Sequence, residues 1–320
     1  MKIIVTTYPY NSDSFEIREL MKEINLSHKC TVKFNKQRRK YTQQELVQTL
    51  REEQPDIIIA GTETYGSEQL DLCPNLKMIS RVGIGLDSVD LKECAKRGII
   101  VTNTPDAPSN AVAELTISQI LTSLRYTNIV DQEMKDYTWK RIIGREVKNC
   151  CVGVIGVGRI GSLVIKKLEA FCPKRIMYAD VDPLRRVFDR HVWTSKEQII
   201  KECDVITVHI PLNEENRNYI GKKELSLMKS GSVLINTSRG GIINERALYE
   251  WLKNEPSSFA AVDVFEQEPY TGKLLELPNI IVSPHLGSCT RTSRHGMETD
   301  ALKEVSNFLH GVPPMSEAML

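Results

Sequence analysis

The feature that most constrains the fold is a glycine-rich turn between an apolar segment and a helical segment. Gly156, Gly158 and Gly161 have the spacing G-x-G-x-x-G and directly follow the apolar residues 151–155. The residues after the turn repeat apolar side chains once per helical turn. A second strand-like segment then ends at Asp180. This order of strand, glycine turn, helix, strand and acid is typical of a dinucleotide-binding βαβ unit.

Each glycine of this turn has a physical reason. Gly156 permits the tight turn, Gly158 lets a pyrophosphate approach the backbone, and Gly161 lets the helix pack closely on the strand. Arg159 and Ile160 open the helix, where free N–H groups and the positive end of the helix dipole favour an anion. A glycine turn without any ligand is the alternative, but the complete context makes it the weaker interpretation.

The acid at the end of the second strand selects the cofactor. Asp180 is expected to accept hydrogen bonds from the adenosine ribose hydroxyls, and its charge would repel a 2′-phosphate. The sequence therefore predicts NAD rather than NADP. Arg185 and Arg186 leave NADP as a minor alternative.

Composition excludes several other classes of protein. The 320 residues suit two domains, and 42 basic against 41 acidic side chains give no global attraction to nucleic acid or an anionic membrane. The basic residues 36–40 are expected to be a solvated loop. The eight cysteines lack C-x-x-C spacing, so we expect reduced thiols and no metal site. The short apolar start, which ends at Pro9, is too short for a signal peptide, so we expect a cytoplasmic protein.

Short apolar segments alternate with helical patterns along the whole chain, which predicts an α/β fold with doubly wound parallel sheets. Thr42 and Glu45 form a capping box that starts one helix, and another helix is predicted over residues 108–125. The predicted strands are residues 2–6, 56–60, 76–80, 98–102, 151–155, 175–179, 205–209, 232–237, 259–264 and 280–283.

Three polar residues stand at or beyond the ends of predicted strands, where ligands bind in such sheets. Arg239 offers a planar fork of donors that can hold a carboxylate and polarise an adjacent ketone. His285 can supply the proton that a ketone oxygen needs when hydride reaches its carbon. Glu268 is the candidate carboxylate to orient that imidazole and favour its charged form. Taken singly, each residue is more often an ordinary surface, core or turn residue; taken together they predict reduction of a 2-oxo acid.

These segments resemble the D-isomer-specific 2-hydroxyacid dehydrogenases, and within them the phosphoglycerate dehydrogenase-like branch. The motifs that carry the resemblance, besides those above, are RVGIGLD at 81–87, VTNTP at 101–105, AELT at 113–116, DVITVHIPL at 204–212 and GGIIN at 240–244. The resemblance implies two Rossmann-like domains with the active site in the cleft between them. The substrate-binding domain would be 1–100 plus 288–320, and the NAD-binding domain would be 101–287.

The resemblance also assigns roles to residues. It implies an NAD-dependent dehydrogenase or 2-oxo acid reductase in which Arg239, Glu268 and His285 are catalytic. The substrate would be held by Val82, Gly83, Ile84 and Arg239. The residues implied to bind the cofactor are Gly156, Gly158, Arg159, Ile160, Gly161, Asp180, His209, Ile210, Pro211, Thr237, Ser238, Arg239, Asp263, His285, Gly287 and Ser288. A homodimer joined through the NAD-binding domain, with residues 108–145 embracing the partner, is implied as well.

One departure concerns the substrate. Phosphoglycerate dehydrogenases carry an Arg-Ser pair after the strand at 56–59, where this chain has Ala60, Gly61 and Thr62. A different small 2-oxo or 2-hydroxy acid is therefore expected, with 3-phosphoglycerate dehydrogenase of serine synthesis and hydroxypyruvate or glyoxylate reductase as alternatives. A non-catalytic NAD(H)-sensing protein is the alternative from another class, because such proteins share the fold.

Overall fold

Two separate parallel sheets organise the chain in the computed structural model, which describes residues 1–318. The strands are β1 Lys2–Val5, β2 Thr31–Phe34, β3 Ile57–Ala60, β4 Met78–Arg81, β5 Ile100–Thr102, β6 Cys151–Ile155, β7 Arg175–Ala179, β8 Val192–Trp193, β9 Val205–Val208, β10 Val233–Asn236, β11 Phe259–Val262 and β12 Ile280–Val282. The helices are α1 Phe15–His28, α2 Gln43–Glu53, α3 Ser67–Asp71, α4 Leu91–Lys96, α5 Ser109–Arg125, α6 Thr127–Lys135, α7 Arg159–Glu169, α8 Lys196–Glu202, α9 Lys222–Leu227, α10 Glu245–Asn254 and α11 Arg291–Leu309.

The first unit consists of Met1–Pro108 and the chain from Thr290 onward. Its five strands pair in the order β2-β1-β3-β4-β5, all parallel. This is a flavodoxin-like order, in which the chain reverses direction across the sheet between β1 and β3. Helix α2 begins with the predicted capping box, in which Thr42 and Glu45 each bond the other's backbone.

The second unit is Ser109–Cys289 and has seven parallel strands in the order β12-β11-β10-β9-β6-β7-β8. Numbered within the unit, the strands nearest the centre follow the Rossmann order, and the strand order reverses between β6 and β9. Strands β6, β9, β10 and β11 are buried along their whole length, because apolar clusters cover both faces of the sheet. The predicted α/β class with doubly wound parallel sheets is confirmed.

The boundaries of the two units differ from the predicted domain boundaries. Strand β5 pairs with β4, so residues 101–108 lie in the first unit although the sequence assigned them to the NAD-binding domain. At the other crossing the second unit continues to Cys289. The last two residues of the predicted substrate-binding domain, 319 and 320, lie outside the described residues. The functions of the two units stay predictions.

Two edge strands, β2 and β8, were not predicted from the sequence. Strand β2 alternates exposed and half-buried residues, and β8 is only two residues long, so neither forms a continuous apolar run. Among residues 1–318, no helix has the length and apolar character to cross a membrane. All eight cysteines are free thiols.

Candidate active site

The predicted site residues of the second unit follow the carboxyl ends of six of its strands. Strand β6 leads into the glycine turn, β7 into Asp180, β9 into His209–Pro211, β10 into Thr237–Arg239, β11 into Asp263, and β12 into His285–Ser288. Because neighbouring parallel strands end at the same edge of a sheet, these segments share one edge. The strand order reverses at the β6–β9 pair, which is where open α/β sheets bind ligands.

The glycine turn has the shape that a bound pyrophosphate needs. Gly156 has a φ of +86°, and a Cβ there would lie 2.5 Å from the carbonyl oxygen of His209. A Cβ on Gly161 would lie 1.9 Å from the carbonyl oxygen of Gly156, so the start of α7 can approach β6 only with glycine. At Gly158, by contrast, a Cβ would meet no atom of residues 1–318 within 4 Å. Space over Gly158 and the N-terminus of α7 therefore fit a cofactor pyrophosphate.

The side chain of Asp180 is hydrogen-bonded to the glycine turn. Its Oδ2 accepts the N–H of Val157 at 2.7 Å, and its Oδ1 accepts the N–H of Asp182 at 3.0 Å. The carboxylate is half-buried and keeps further lone pairs for a ligand. Asp180 thus fixes the end of β7 to the turn after β6, and its predicted contact with a ribose stays a prediction.

His209 lies between the glycine turn and β9 and is neutral at physiological pH. Burial lowers the pKa of its imidazole from 6.5 to about 3. Its Nε2 lies 2.9 Å from Thr207 Oγ, whereas its Nδ1 is buried and has no partner among residues 1–318. A buried ring nitrogen without a partner beside the turn is a group that a bound cofactor could satisfy.

The turn that carries Arg239 is held rigidly by its neighbours. The side chain of Asn236 accepts both the N–H and the hydroxyl of Ser238, and its amide donates to the carbonyl of Arg239 at 2.9 Å. A Cβ on Gly240 would lie 2.0 Å from the carbonyl oxygen of Phe265, so only glycine allows this approach to the turn after β11. The backbone under Arg239 is therefore preorganised.

His285 and Glu268 are in direct contact. The imidazole Nδ1 lies 2.9 Å from Glu268 Oε2 and 3.1 Å from Oε1, and each side chain is 37 % exposed. Glu268 Oε1 also accepts the backbone N–H of Phe265 at 3.1 Å, which orients the carboxylate. The contact engages Nδ1 and leaves Nε2 as the ring nitrogen that can reach a substrate.

Asp263 supports the segment that contains His285. Its Oδ1 accepts the N–H of Leu286 and its Oδ2 accepts the N–H of Gly287, both at 2.8 Å. His285 has a φ of +54°, an uncommon conformation for a residue with a side chain. Such strain persists where the surroundings impose it, and it concentrates at functional sites. Asp263 is fully buried, and its predicted role in binding the cofactor stays a prediction.

In the first unit, the predicted substrate-binding turn already uses two of its N–H groups. Val82 donates to the carbonyl of Ala60 at 3.0 Å, and Gly83 donates to Thr104 Oγ at 2.8 Å. Ile84 is the remaining residue of the predicted set, and its N–H has no hydrogen bond within the part of the chain that the structure describes. A carboxylate could therefore bind directly at Ile84, whereas Val82 and Gly83 would first have to exchange their internal bonds.

Sequence reasoning missed three polar residues behind these segments. Thr116 and Gln119 are buried on α5, and Ser283 follows β12. Thr116 Oγ lies 2.9 Å from the hydroxyl of Thr237, and Gln119 reaches Ser283. The one available signal was the i, i+3 spacing of two polar side chains on an otherwise apolar helix face.

Comparison with known proteins identifies the group of enzymes to which this site belongs. The family model described as "D-isomer specific 2-hydroxyacid dehydrogenase, NAD binding domain" matches residues 117–287. The chain belongs to this family. The predicted family, enzyme class and cofactor are thus confirmed: the protein is an NAD-dependent oxidoreductase that acts on 2-hydroxy acids.

Individual relatives show how widely the similarity extends. The chain is 35 % identical to a glyoxylate reductase of Thermococcus litoralis, over 81 % of this chain and 82 % of the relative. It is 33 % identical to a D-3-phosphoglycerate dehydrogenase of Methanocaldococcus jannaschii, over 97 % of this chain but only 58 % of the relative. The structure also matches a D-lactate dehydrogenase of Aquifex aeolicus complexed with NAD and lactic acid, with a TM-score of 0.81, 28 % identity and coverage of 97 % and 96 %.

Proposed function

We propose that this protein reduces a small, unphosphorylated 2-oxo acid to the D-2-hydroxy acid. In this reaction His285 would donate the proton, Glu268 would orient the His285 imidazole, and Arg239 would hold the substrate. The observation that carries the proposal is the 2.9 Å contact between His285 Nδ1 and Glu268 Oε2. It fixes the ring and leaves Nε2 to meet the oxygen that gains charge.

The chemistry divides among three side chains. When bound, NADH supplies the hydride for the substrate carbon. Arg239 holds the carboxylate of the substrate and polarises its ketone with two arms of one guanidinium. His285 gives its Nε2 proton to the developing alkoxide, and Glu268 stabilises the imidazolium before that transfer. In the oxidation direction, neutral His285 takes the proton back.

The residues proposed to hold the cofactor fit the structure. The N–H groups at the start of α7 and the open space over Gly158 suit a pyrophosphate, while Asp180 suits the ribose hydroxyls. The buried Nδ1 of His209 offers a further polar contact.

A buried acid supports a substrate without phosphate. After β3, where phosphoglycerate dehydrogenases are expected to carry Arg, Glu63 Oε2 accepts the N–H of Gly61 at 3.0 Å. Glu63 is only 3 % exposed. A substrate phosphate at this turn would therefore approach an acid in place of a cation. Glyoxylate and hydroxypyruvate are the simplest acids that avoid this conflict.

The test is an NADH-oxidation screen against 2-oxo acids that includes glyoxylate, hydroxypyruvate, 2-oxobutyrate and 3-phosphohydroxypyruvate. We expect kcat/KM for an unphosphorylated acid to exceed that for 3-phosphohydroxypyruvate at least ~tenfold. The opposite ranking would assign the protein to phosphoglycerate oxidation. No turnover with any acid, together with tight NADH binding, would favour a binding role.

A homodimer is the assembly that we propose. The segment after α6 exposes apolar side chains: Tyr137 is 99 %, Trp139 82 % and Ile143 95 % exposed. Apolar side chains of this size, exposed together, mark a protein–protein contact. Light scattering should find a dimer for the native chain and a monomer for Trp139→Glu. A monomeric native chain would contradict the proposal.

We also propose a cytoplasmic location. All eight thiols are free, six of them buried, which is usual where glutathione keeps cysteines reduced. Fractionation of cells should recover the protein with cytoplasmic markers.

A further inference from the structure

A serine hydroxyl at the end of β12 faces a fully buried carboxylate. Ser283 Oγ donates to Asp263 Oδ1 at 2.5 Å, and Asp263 is 0 % exposed. The two residues follow adjacent strands, β12 and β11, whose register places Val282 beside Val262. The contact therefore joins the residues that immediately follow two neighbouring strands, at the edge where the proposed catalytic groups lie.

The same aspartate holds the backbone of His285 and of the two residues that follow it. Its two oxygens accept the N–H groups of Leu286 and Gly287, and its own carbonyl accepts the N–H of His285 at 2.8 Å. Four hydrogen bonds thus connect Asp263 to residues 283–287. They enclose His285, whose φ of +54° needs such support.

The donors around Asp263 fix the direction of this network. Backbone N–H groups can only donate, so both oxygens of Asp263 act as acceptors and suit the ionised form. The Ser283 hydroxyl donates as well, and its lone pairs then face Gln119 Nε2 at 3.4 Å. Gln119 is 4 % exposed; its amide nitrogen meets Ser283, whereas its Oε1 has no partner within residues 1–318.

We propose that Ser283 is a positioning residue for proton transfer: it holds Asp263 Oδ1 so that the carboxylate keeps the Leu286 and Gly287 amides and thereby holds His285 against Glu268. This rests on the proposed function, in which His285 moves the proton. Ser283 itself does not have to touch substrate or cofactor.

The electrostatics of Asp263 explain why one hydroxyl matters. Burial raises the pKa of this carboxyl, and the Ser283 hydrogen bond is the largest of the contributions that oppose the rise. The Leu286 and Gly287 amides and the charge of His285 oppose it less. Without the hydroxyl, protonation of Asp263 becomes easier, and a protonated oxygen can no longer accept an amide in the same way.

The experiment compares Ser283→Ala with Ser283→Thr, which keeps a hydroxyl, and with Ser226→Ala, which removes an exposed hydroxyl on α9. For reduction of the best 2-oxo acid, Ser283→Ala should lower kcat ~tenfold while the Kd for NADH changes less than ~threefold. Ser283→Thr should recover most of kcat, and Ser226→Ala should match the native enzyme. Native kcat in Ser283→Ala would overturn the proposal.

A double-mutant cycle separates positioning from a general loss of structure. Ser283→Ala should lower kcat much less when it is made in a Glu268→Gln background, because the His285–Glu268 contact is already weakened there. Equal losses of kcat in both backgrounds would contradict the proposal. If Ser283→Ala does not fold, Gln119→Met, which removes the donor behind Ser283, should lower kcat ~twofold to threefold; unchanged kcat there would count against the network.

His285→Ala separates a failure of the proposed function from a failure of the positioning role alone. If His285→Ala keeps native activity, the proposed function fails, and the role of Ser283 fails with it. If His285→Ala is inactive while Ser283→Ala behaves as native, only the positioning role fails.

Discussion

His285 Nδ1 lies 2.9 Å from Glu268 Oε2, and the same carboxylate is anchored by the backbone N–H of Phe265. The Glu268 carboxylate therefore accepts a hydrogen bond from the backbone after β11 and also orients the imidazole. A carboxylate at this distance holds the Nδ1–H of the ring more firmly than a neutral acceptor would. The strength of this contact can therefore be changed by one isosteric substitution.

Glu268→Gln should lower kcat for reduction ~tenfold. A neutral amide holds the His285 ring less firmly than a carboxylate does, so the ring is oriented less well toward the substrate oxygen. Gln keeps an acceptor for Phe265, so NADH affinity should stay within ~twofold. Glu266→Gln, two residues away and exposed, is the matched control and should leave kcat unchanged. If Glu266→Gln lowers kcat and Glu268→Gln does not, the partner of His285 is misassigned.

Most of the fold follows from local patterns in the sequence. Strands buried on both faces, such as β6 and β10, are continuous apolar runs bounded by turn residues, and they were predicted within about two residues. Strand β2 was not, because an edge strand with the pattern exposed, half-buried, exposed, half-buried buries too little apolar surface to stand out. The boundary between the compact units differs from the predicted domain boundary because β5 pairs with β4, and no local pattern in the sequence marks that pairing.

Part of the site can likewise be predicted from local sequence patterns, and part cannot. The glycine turn and the residues at strand ends are visible because strand, turn and polar residue are adjacent in sequence. The contact of Gln119 with Ser283 joins residues 164 positions apart, and nothing local marks it. The internal bonds of Val82 and Gly83 likewise depend on Ala60 and Thr104, which other strands bring near.

Arg239→Lys should lower kcat/KM at least ~30-fold although the charge is kept. Lysine lacks the planar fork that can contact carboxylate and ketone together, and loss of a charge-assisted hydrogen bond costs about 2–3 kcal/mol, which corresponds to ~30- to 150-fold. Most of the loss should lie in kcat if the ketone contact strengthens in the transition state. Arg246→Lys, at an exposed position on α10, controls for the chemistry of the substitution. Retention of nearly native kcat/KM would remove Arg239 from the site.

NADH should bind at least ~tenfold more tightly than NADPH. A 2′-phosphate close to Asp180 would face a repulsion on the order of 1–3 kcal/mol at dielectric constants typical of a protein surface. Asp180→Ser should weaken the binding of NADH and reduce the difference in affinity between NADH and NADPH. It should also lower thermal stability slightly, since Asp180 holds the N–H of Val157. Calorimetric titration checks the affinities, and equal affinities in the native protein would point to Arg185 or Arg186 as a phosphate site.

His209 should make the protein less stable as the pH falls below neutrality. Its pKa is about 3 in the folded chain against 6.5 for an ordinary histidine. At a pH between these two values, the unfolded chain therefore binds a proton that the folded chain does not bind. The stability that depends on a neutral ring is complete above about pH 6.5 and is lost as the pH falls toward 3. Between pH 7 and pH 5 this amounts to at most about 2 kcal/mol by proton linkage.

His209→Gln removes this titration but keeps a polar side chain. Urea unfolding at pH 7 and pH 5 should show that the native protein loses more free energy of unfolding over this interval than the variant does. His295→Gln, at a more exposed histidine whose ring contacts Glu16, controls for removal of any imidazole and should keep the native pH dependence more closely. Parallel pH dependence of the native protein and His209→Gln would show that His209 can be protonated in the folded chain, and the buried Nδ1 would then have found a partner.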